Sequence, residues 1–188
     1  MKAWWQLFSN HFTPAECQAL IDYALTHPVQ TGTIGHGGKS AVNEGIRRSK
    51  VRWLNRHDPQ LAAFFARISN MGEQANNNGF GFDLRGFREV QFTEYDAGDE
   101  GHYDWHEDNA WTAGFATERK MSMVIQLSAP ADYEGGKLEL QRDSLPADKF
   151  TNQGDVIFFP AFNRHRVTPV TQGKRYSLVT WFTGPAFR

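Results

Sequence analysis

Apolar residues recur at helical spacing in two early segments of the chain. Thr13-Pro14-Ala15-Glu16 is a capping-box pattern with proline at the first helical position, and apolar residues follow it every three or four positions up to Pro28. A second amphipathic segment runs from Pro59 to about Gln74, and its face is formed by Leu61, Phe64, Phe65 and Ile68. The pattern therefore predicts two helices, which we interpret as scaffold, and Asn76–Gly79 is predicted to be a turn.

The pattern changes to short strands separated by turn residues from about residue 80 onward. One strand, Val51–Leu54, is predicted ahead of this region. The later ones are Phe87–Tyr95, Met121–Ser128, Lys137–Gln141, Asp155–Phe159 and Arg175–Phe182. Many short strands with regular turns favour a sandwich or barrel. We therefore expect a mainly β fold with flanking α-helices.

The segment from Thr31 to Gly45 has no apolar periodicity. It is rich in Gly, Ser, Thr and Asn, which predicts a mobile loop. The basic run Arg47-Arg48-Ser49-Lys50 follows it. Such a run is typical of a solvated edge, although its position beside the loop leaves contact with a substrate open.

Composition narrows the class of protein. The 188 residues predict a single domain, with helical support over about residues 1–80 and a strand-rich core over about 80–188. The formal net charge of −1 gives no basic field for nucleic acid, and no apolar run reaches the roughly 20 residues of a membrane span. A single cysteine, Cys17, excludes an internal disulfide. Without a signal-peptide pattern at the N-terminus, a cytoplasmic location is expected.

His106-Glu107-Asp108 is the first candidate for chemistry. Residues i and i+2 of a strand point to the same side, so His106 and Asp108 could present two ligands to one point. His165, which follows the apolar run Val156–Phe159, is the candidate third ligand. Two histidines and one carboxylate with open positions suit non-heme Fe(II) oxygen chemistry. A His-x-Asp pair alone is common by chance, so the hypothesis depends on the order of all the motifs together.

Arg175-Tyr176-Ser177 is the second candidate. Alternation along the last predicted strand puts Arg175, Ser177, Val179 and Trp181 on one face. An arginine on an otherwise apolar face needs an anionic partner, and a guanidinium beside a hydroxyl suits a carboxylate. The alternative is a structural ion pair at the edge of the core.

These motifs, in this order, make the stretch from about Phe87 to Phe182 resemble the Fe(II)/2-oxoglutarate-dependent dioxygenases, in their prolyl-4-hydroxylase-like branch. The matching segments are Tyr95-Asp96-Ala97-Gly98, Tyr103-Asp104-Trp105-His106-Glu107-Asp108, Gly135-Gly136-Lys137-Leu138, Gly154-Asp155-Val156-Ile157-Phe158-Phe159, His165 and Arg175-Tyr176-Ser177. The resemblance implies a double-stranded β-helix (jelly-roll, cupin-like) core. It covers about half of the chain and is much less specific for the substrate than for the superfamily.

The resemblance also implies residue roles and cofactors. By it, His106, Asp108 and His165 ligate Fe(II), while Arg175 anchors the distal carboxylate of the co-substrate 2-oxoglutarate. These four residues are the implied catalytic set, with dioxygen as the oxidant and ascorbate as an optional reductant. Three further residues are implied or expected at the co-substrate: Ser177, Tyr95 and Gln126. Tyr95 shares a strand face with Gln91 and Thr93.

The implied reaction is hydroxylation of a C–H bond, with 2-oxoglutarate decarboxylated to succinate. Family analogy favours a peptidyl side chain, and proline in particular, in a peptide or protein partner. The loop Thr31–Gly45 and the segment Trp105–Phe115 are candidate lids. Three aromatic residues could offer flat apolar surfaces to the substrate or could simply belong to the core: Tyr103, Trp105 and Trp111. Trp181 and Val179 are expected to form walls of the pocket.

Three alternatives stay open. The first is a hydroxylase of a free amino acid or another small molecule, because one sequence does not fix pocket size. The second is a nucleic-acid demethylase, which is disfavoured because its relatives carry a second arginine six positions after the first, where Trp181 stands here. The third is a non-enzymatic cupin-like metal-binding module, which would not need the Arg175 anchor. Neither nucleic acid nor a membrane is expected as a partner.

Overall fold

The computed structural model describes residues 1–35, 40–109, 116–146 and 148–187, and both predicted helices are present. Helix α1 is Pro14–Leu25, and helix α2 is Ala62–Ala75, preceded by a 3₁₀ turn at Pro59–Leu61. The capping box of α1 forms as predicted: the Thr13 hydroxyl accepts from the Glu16 backbone N–H, and the Glu16 carboxylate accepts from the Thr13 N–H.

The predicted turn at Asn76–Gly79 is wrong, because helix α2 continues there as a π-helical turn, Asn76–Phe80. The Asn76 side chain makes two hydrogen bonds of 2.8 Å to the backbone of Phe82, one as donor and one as acceptor. The helix ends only at Gly81, whose positive φ of 73° reverses the chain. Local polar residues that suggested a turn therefore cap a longer helix.

Within the described residues, the strands form two antiparallel sheets. The strands are β1 Gln6–Phe8, β2 Gln30–Thr31, β3 Arg47–Arg48, β4 Lys50–Leu54, β5 Phe87–Asp96, β6 His102–His106, β7 Thr117–Gln126, β8 Tyr133–Gly135, β9 Leu138–Leu140, β10 Val156–Pro160, β11 His165–Val167 and β12 Val170–Pro185. The major sheet has the order β1-β10-β7-β12-β5-β4-β2, with β8 paired to β12, and the minor sheet has the order β3-β6-β11-β9. This mainly β double-stranded β-helix with flanking helices confirms the predicted fold class.

The two faces of the major sheet pack against different parts of the molecule. One face packs against the helices and carries residues such as Phe92, Ile125 and Leu178, all fully buried. The opposite face turns toward the minor sheet and carries Val124 and Val179. Neighbours along β7 and β12 therefore divide between the two cores, as strand alternation predicts. The face that carries Val124 and Val179, called the inner face below, is therefore available to line a site.

The N-terminal region supplies strands as well as the expected helical support. Strand β1 pairs with β10 and β4 pairs with β5, so both extend the major sheet. Strand β1 is only three residues long, which is too short for a period to be recognised in the sequence. Long-range pairing, such as that of Leu7 with Ile157, defines it instead.

Some predictions lie partly outside the described residues. Of the predicted loop Thr31–Gly45, residues 36–39 are outside, and Ile34 and Ala41 form an isolated bridge around them. Trp111 and the rest of residues 110–115 are also outside. Loop mobility and the lid role of both segments stay predictions. Within the described ranges, no helix is long and apolar enough to cross a membrane.

Candidate metal centre and its cavity

The structure brings the three predicted ligands together where strands β6 and β11 of the minor sheet pair. His106 ends β6 and His165 begins β11, and these two residues lie directly opposite each other in the β6–β11 register. Asp108 Oδ1 is 3.6 Å from His106 Nε2, and Asp108 Oδ2 is 3.4 Å from His165 Nε2. All three ligand atoms lie within 4.8 Å of one another, an arrangement that could hold one metal ion.

The local backbone differs from the expected strand at one position. Asp108 lies two residues beyond the end of β6 rather than within it. Its backbone N–H donates to the Ala161 carbonyl at 2.8 Å, which fixes the chain after the strand has ended. The carboxylate therefore owes its position to the loop after β10, and not to strand alternation alone.

Hydrogen bonds set the orientation of each ligand. His106 Nδ1 lies 2.8 Å from the Asp104 carbonyl, and His165 Nδ1 lies 2.9 Å from the Asn163 carbonyl. A carbonyl oxygen only accepts, so each Nδ1 carries a proton, and Nε2 of each ring is the atom that can face the metal position. The Ser122 hydroxyl donates to Asp108 Oδ2 at 2.6 Å and orients the carboxylate.

Electrostatics give His106 and Asp108 the protonation states that a metal requires. Burial, and after it the neighbouring His165, lower the pKa of His106 to about 3. Burial by itself would raise the pKa of Asp108, but the adjacent His165 and His106 outweigh it, so the pKa is lowered overall. Near neutral pH, His106 is a neutral imidazole and Asp108 is a carboxylate. With His165 Nε2 also directed inward, this donor set fits the facial triad of non-heme Fe(II) sites.

Replacing Ser122 by alanine is expected to weaken Fe(II) binding by about 10- to 100-fold, because the carboxylate loses the hydroxyl that orients it. An anaerobic competition titration against a chelator would measure the change. Ser128→Ala is the matched control, since it removes another buried hydroxyl, which accepts from the Tyr176 N–H and contacts the Lys174 carbonyl. Equal Fe(II) affinities for the Ser122 and Ser128 variants would contradict the assigned role of Ser122.

A cavity of about 340 Å³ opens onto the triad. Its apolar walls come from both sheets and comprise Val124, Leu138, Val167 and Val179. The predicted residues Tyr95, Tyr103, Arg175, Ser177 and Trp181 also line it. The inner face of β12 therefore faces the metal position, as its alternation predicts.

Arg175 lies in this cavity with one donor left unpaired. The side chain is only 2% exposed, and its Nε donates to Gln126 Oε1 at 2.9 Å. Gln126 is held in turn by its Nε2, which donates to the Tyr133 hydroxyl and the Ser128 carbonyl, both at 3.0 Å. Arg175 Nη1 is buried and has no hydrogen-bond partner among the described residues. A buried guanidinium with an orphaned donor fits a carboxylate ligand such as that of 2-oxoglutarate.

The double glycine before β9 makes room for this arginine. Gly136 has a φ of +56°, and a Cβ there would come within 2.9 Å of both Arg175 Cδ and Val170 Cγ2. Both the backbone conformation and the close approach therefore favour glycine. This gives a physical reason for the Gly135-Gly136 motif.

The aromatic residues of β6 do not all take the predicted positions. Trp105 is not among the residues lining the cavity, and its ring lies 5.0 Å from the guanidinium carbon of Arg166 instead. A register shift in the β6–β11 pairing places Tyr103 on the same side as His106, and their rings stack with centroids 3.5 Å apart. Strict alternation would have grouped Tyr103 with Trp105. The cavity geometry therefore does not support Trp105 as a substrate contact.

Several cavity residues were missed by the sequence analysis. Arg119 places its guanidinium carbon 3.7 Å from the Trp181 ring centroid and donates to Glu89 at 2.6 Å. Trp53 also lines the cavity. The basic run was interpreted as typical of a solvated edge, with contact to a substrate left open. The solvated edge is wrong for Arg47, because this side chain is 6% exposed and lines the cavity. Only the pairing of β3 with β6, which sets Arg47 opposite Tyr103, brings it there.

The comparisons with known sequences agree on one family. A family model described as the 2OG-Fe(II) oxygenase superfamily matches residues 90–183, half of the chain. A PKHD-type hydroxylase of Pseudomonas fluorescens is 38% identical over 97 residues, which are 46% of this chain and 39% of the relative. Another, of a Psychrobacter species, is 30% identical over 153 residues, which are 77% of this chain and 57% of the relative. The chain thus spans well under two thirds of the length of these relatives.

Solved structures share the fold. A prolyl-4-hydroxylase of Pseudomonas putida superposes with a TM-score of 0.72 at 22% identity, covering 95% of this chain and 92% of that one. A Trichoplax adhaerens prolyl hydroxylase, in complex with a peptide fragment of hypoxia inducible factor, superposes with a TM-score of 0.73 at 15% identity. That match covers 95% of this chain and 83% of the Trichoplax chain.

Proposed function

Because the chain belongs to the 2OG-Fe(II) oxygenase superfamily, we propose that it is an Fe(II)- and 2-oxoglutarate-dependent hydroxylase of a peptidyl side chain, with proline as the favoured target. One observation carries the proposal: the His106, Asp108 and His165 triad and the orphaned donor of Arg175 face the same cavity. The prolyl target is supported by the names of structural neighbours, one of which is in complex with a peptide fragment.

The metal ion and the co-substrate would be bound by different residues of the cavity. The triad would hold Fe(II), and Arg175 would bind the distal carboxylate of 2-oxoglutarate, with Ser177 beside it on β12. When bound, Fe(II) and 2-oxoglutarate together supply the activation of dioxygen that oxidises a C–H bond, yielding succinate and carbon dioxide. Ascorbate is proposed only as an auxiliary reductant.

The surrounding side chains prepare the cavity for this chemistry. Burial raises the pKa of Tyr95, so its phenol is neutral and can donate a hydrogen bond to the co-substrate. The Tyr103 ring stacks on His106 with an interplanar angle of 10°, which holds the imidazole in place. Val124, Leu138 and Val179 line the cavity with apolar surface that limits the access of water.

The proposal is tested by measuring the conversion of 2-oxoglutarate to succinate in Fe(II)-loaded protein, first alone and then with a panel of proline-containing peptides. We expect succinate above that of a metal-free control, and a gain of one oxygen atom by a peptide in the mass spectrum. Absence of succinate together with absence of 2-oxoglutarate binding by calorimetry would instead favour a non-enzymatic cupin-like module.

A further inference from the structure

Arg47 is a second buried guanidinium in the cavity, and its contacts are neutral. Its Nε donates to the Ser49 hydroxyl at 2.8 Å and its Nη1 to the Thr33 carbonyl at 2.9 Å. The neighbouring cations differ in this respect: Arg48 pairs with Glu100, Lys50 with Asp99, and Arg52 with Glu94. In the part of the chain that the structure describes, no carboxylate forms an ion pair with Arg47.

The position of this guanidinium is built by the residues around it. A Cβ on Gly32 would lie 2.6 Å from Arg47 Nε and 2.3 Å from the Ser49 hydroxyl, so the glycine leaves the space that the arginine fills. On the other side, the guanidinium carbon lies 4.6 Å from the centroid of the Tyr103 ring. That ring in turn stacks on His106. One aromatic ring therefore separates Arg47 from the triad.

Among the residues that the structure describes, none provides a counter-ion within ion-pair distance of the Arg47 guanidinium. An arginine side chain stays protonated in proteins, and a buried charge without a partner is unfavourable. Of the carboxylates that line the same cavity, Asp108 contacts the two histidines and Glu89 pairs with Arg119. A carboxylate of a bound ligand would give Arg47 a counter-ion of its own.

We propose that Arg47 is a specificity-determining residue that binds a carboxylate of the substrate, so that the substrate carries a carboxylate close to the carbon that is hydroxylated. This inference rests on the proposed function and deepens it. Arg175 lies on a different strand, β12, and is left to the co-substrate. The carboxylate can come from an acidic side chain beside the target residue, from a peptide C-terminus or from a free amino acid.

Matched compounds separate these sources. The probes are acetylated prolyl peptide amides with Glu or Gln on either side of proline, N-acetylproline against its amide, and free L-proline. Binding to anaerobic protein loaded with Mn(II) and 2-oxoglutarate is measured by ligand-observed NMR, and coupled succinate release gives KM. We expect the carboxylate member of at least one pair to bind about tenfold or more tightly than its amide, as a charge-assisted hydrogen bond implies.

Arg47→Gln should remove this preference and leave 2-oxoglutarate affinity unchanged. Arg48→Gln is the control, because it removes the adjacent cation, which pairs with Glu100, and should keep the preference. Arg47→Lys retains the charge without the planar fork and should keep part of it, which gives a result even where the glutamine variant does not fold.

Three outcomes would overturn the inference. The first is that no carboxylate probe binds the wild-type protein more tightly than its amide. The others are that Arg47→Gln weakens the binding of amide and carboxylate probes equally, or that it weakens the binding of 2-oxoglutarate instead. Failure of the proposed function is distinguished by the absence of succinate in every sample. In that case the binding measurements still decide whether Arg47 selects a carboxylate.

Discussion

Replacing His106 by alanine is expected to abolish Fe(II) binding and all turnover, while the protein stays folded. The variant keeps only Asp108 and His165 as ligands, and losing a direct ligand should exceed the about 10- to 100-fold effect of losing an outer hydrogen bond. The fold should persist because His106 ends a strand at the cavity and is not part of either core of the major sheet. Anaerobic calorimetric titration with Fe(II), together with thermal unfolding, measures both effects.

His102→Ala is the control for this variant. His102 begins the same strand, and its Nδ1 also lies 2.8 Å from a backbone carbonyl, that of Glu100, but it does not line the cavity. The His102→Ala variant should bind Fe(II) with the affinity of the wild type. Stoichiometric Fe(II) binding by the His106 variant at wild-type affinity would show that the triad is assigned wrongly.

Alternation along β12 shows what the sequence could predict. The inner face of this strand places Arg175, Ser177 and Trp181 in the cavity, and its outer face places Leu178 against the helices. A period of two is a property of the strand itself, so it can be recognised without knowing the partners. The same holds for α1, whose cap and apolar face are local features.

Residues that depend on pairing between strands could not be found this way. Ser122 reaches Asp108 only because β7 passes behind the metal position, and Arg47 enters the cavity only through the pairing of β3 with β6. Strand β3 has two residues, so it carries no period. A basic run in a short strand has the same sequence pattern whether it is solvated or buried.

Irregularities in regular structure account for the remaining errors. The register shift in the β6–β11 pair decides that Tyr103, and not Trp105, stands beside His106. A β-bulge changes which side chains share a face, and its position follows from both strands together. The π-helical turn at Asn76–Phe80 is similar, because the Asn76 side chain makes its hydrogen bonds to Phe82, a residue beyond the helix.

Replacing Arg175 by methionine is expected to weaken 2-oxoglutarate binding at least about tenfold, which corresponds to the roughly 1.5–3 kcal/mol of a hydrogen bond to a charged group. Fe(II) binding should be unchanged, since Arg175 touches none of the three ligands in the observed hydrogen bonds. The stability should change little. The substitution removes a buried charge whose Nη1 is unpaired, which is favourable, but it also leaves Gln126 Oε1 without its donor.

The measurements that separate these effects are calorimetric titration with 2-oxoglutarate and with Fe(II), each on the same preparation, and thermal unfolding. Arg166→Met is the matched control, because Arg166 lies on β11 and pairs with Glu139 outside the cavity. Arg175→Lys should recover part of the affinity, since it restores the charge but not the bidentate geometry. An unchanged 2-oxoglutarate affinity in Arg175→Met would move the anchor to another cation of the cavity. Arg47 would then be the first to test, and the carboxylate specificity proposed for it would have to be reassigned to the co-substrate.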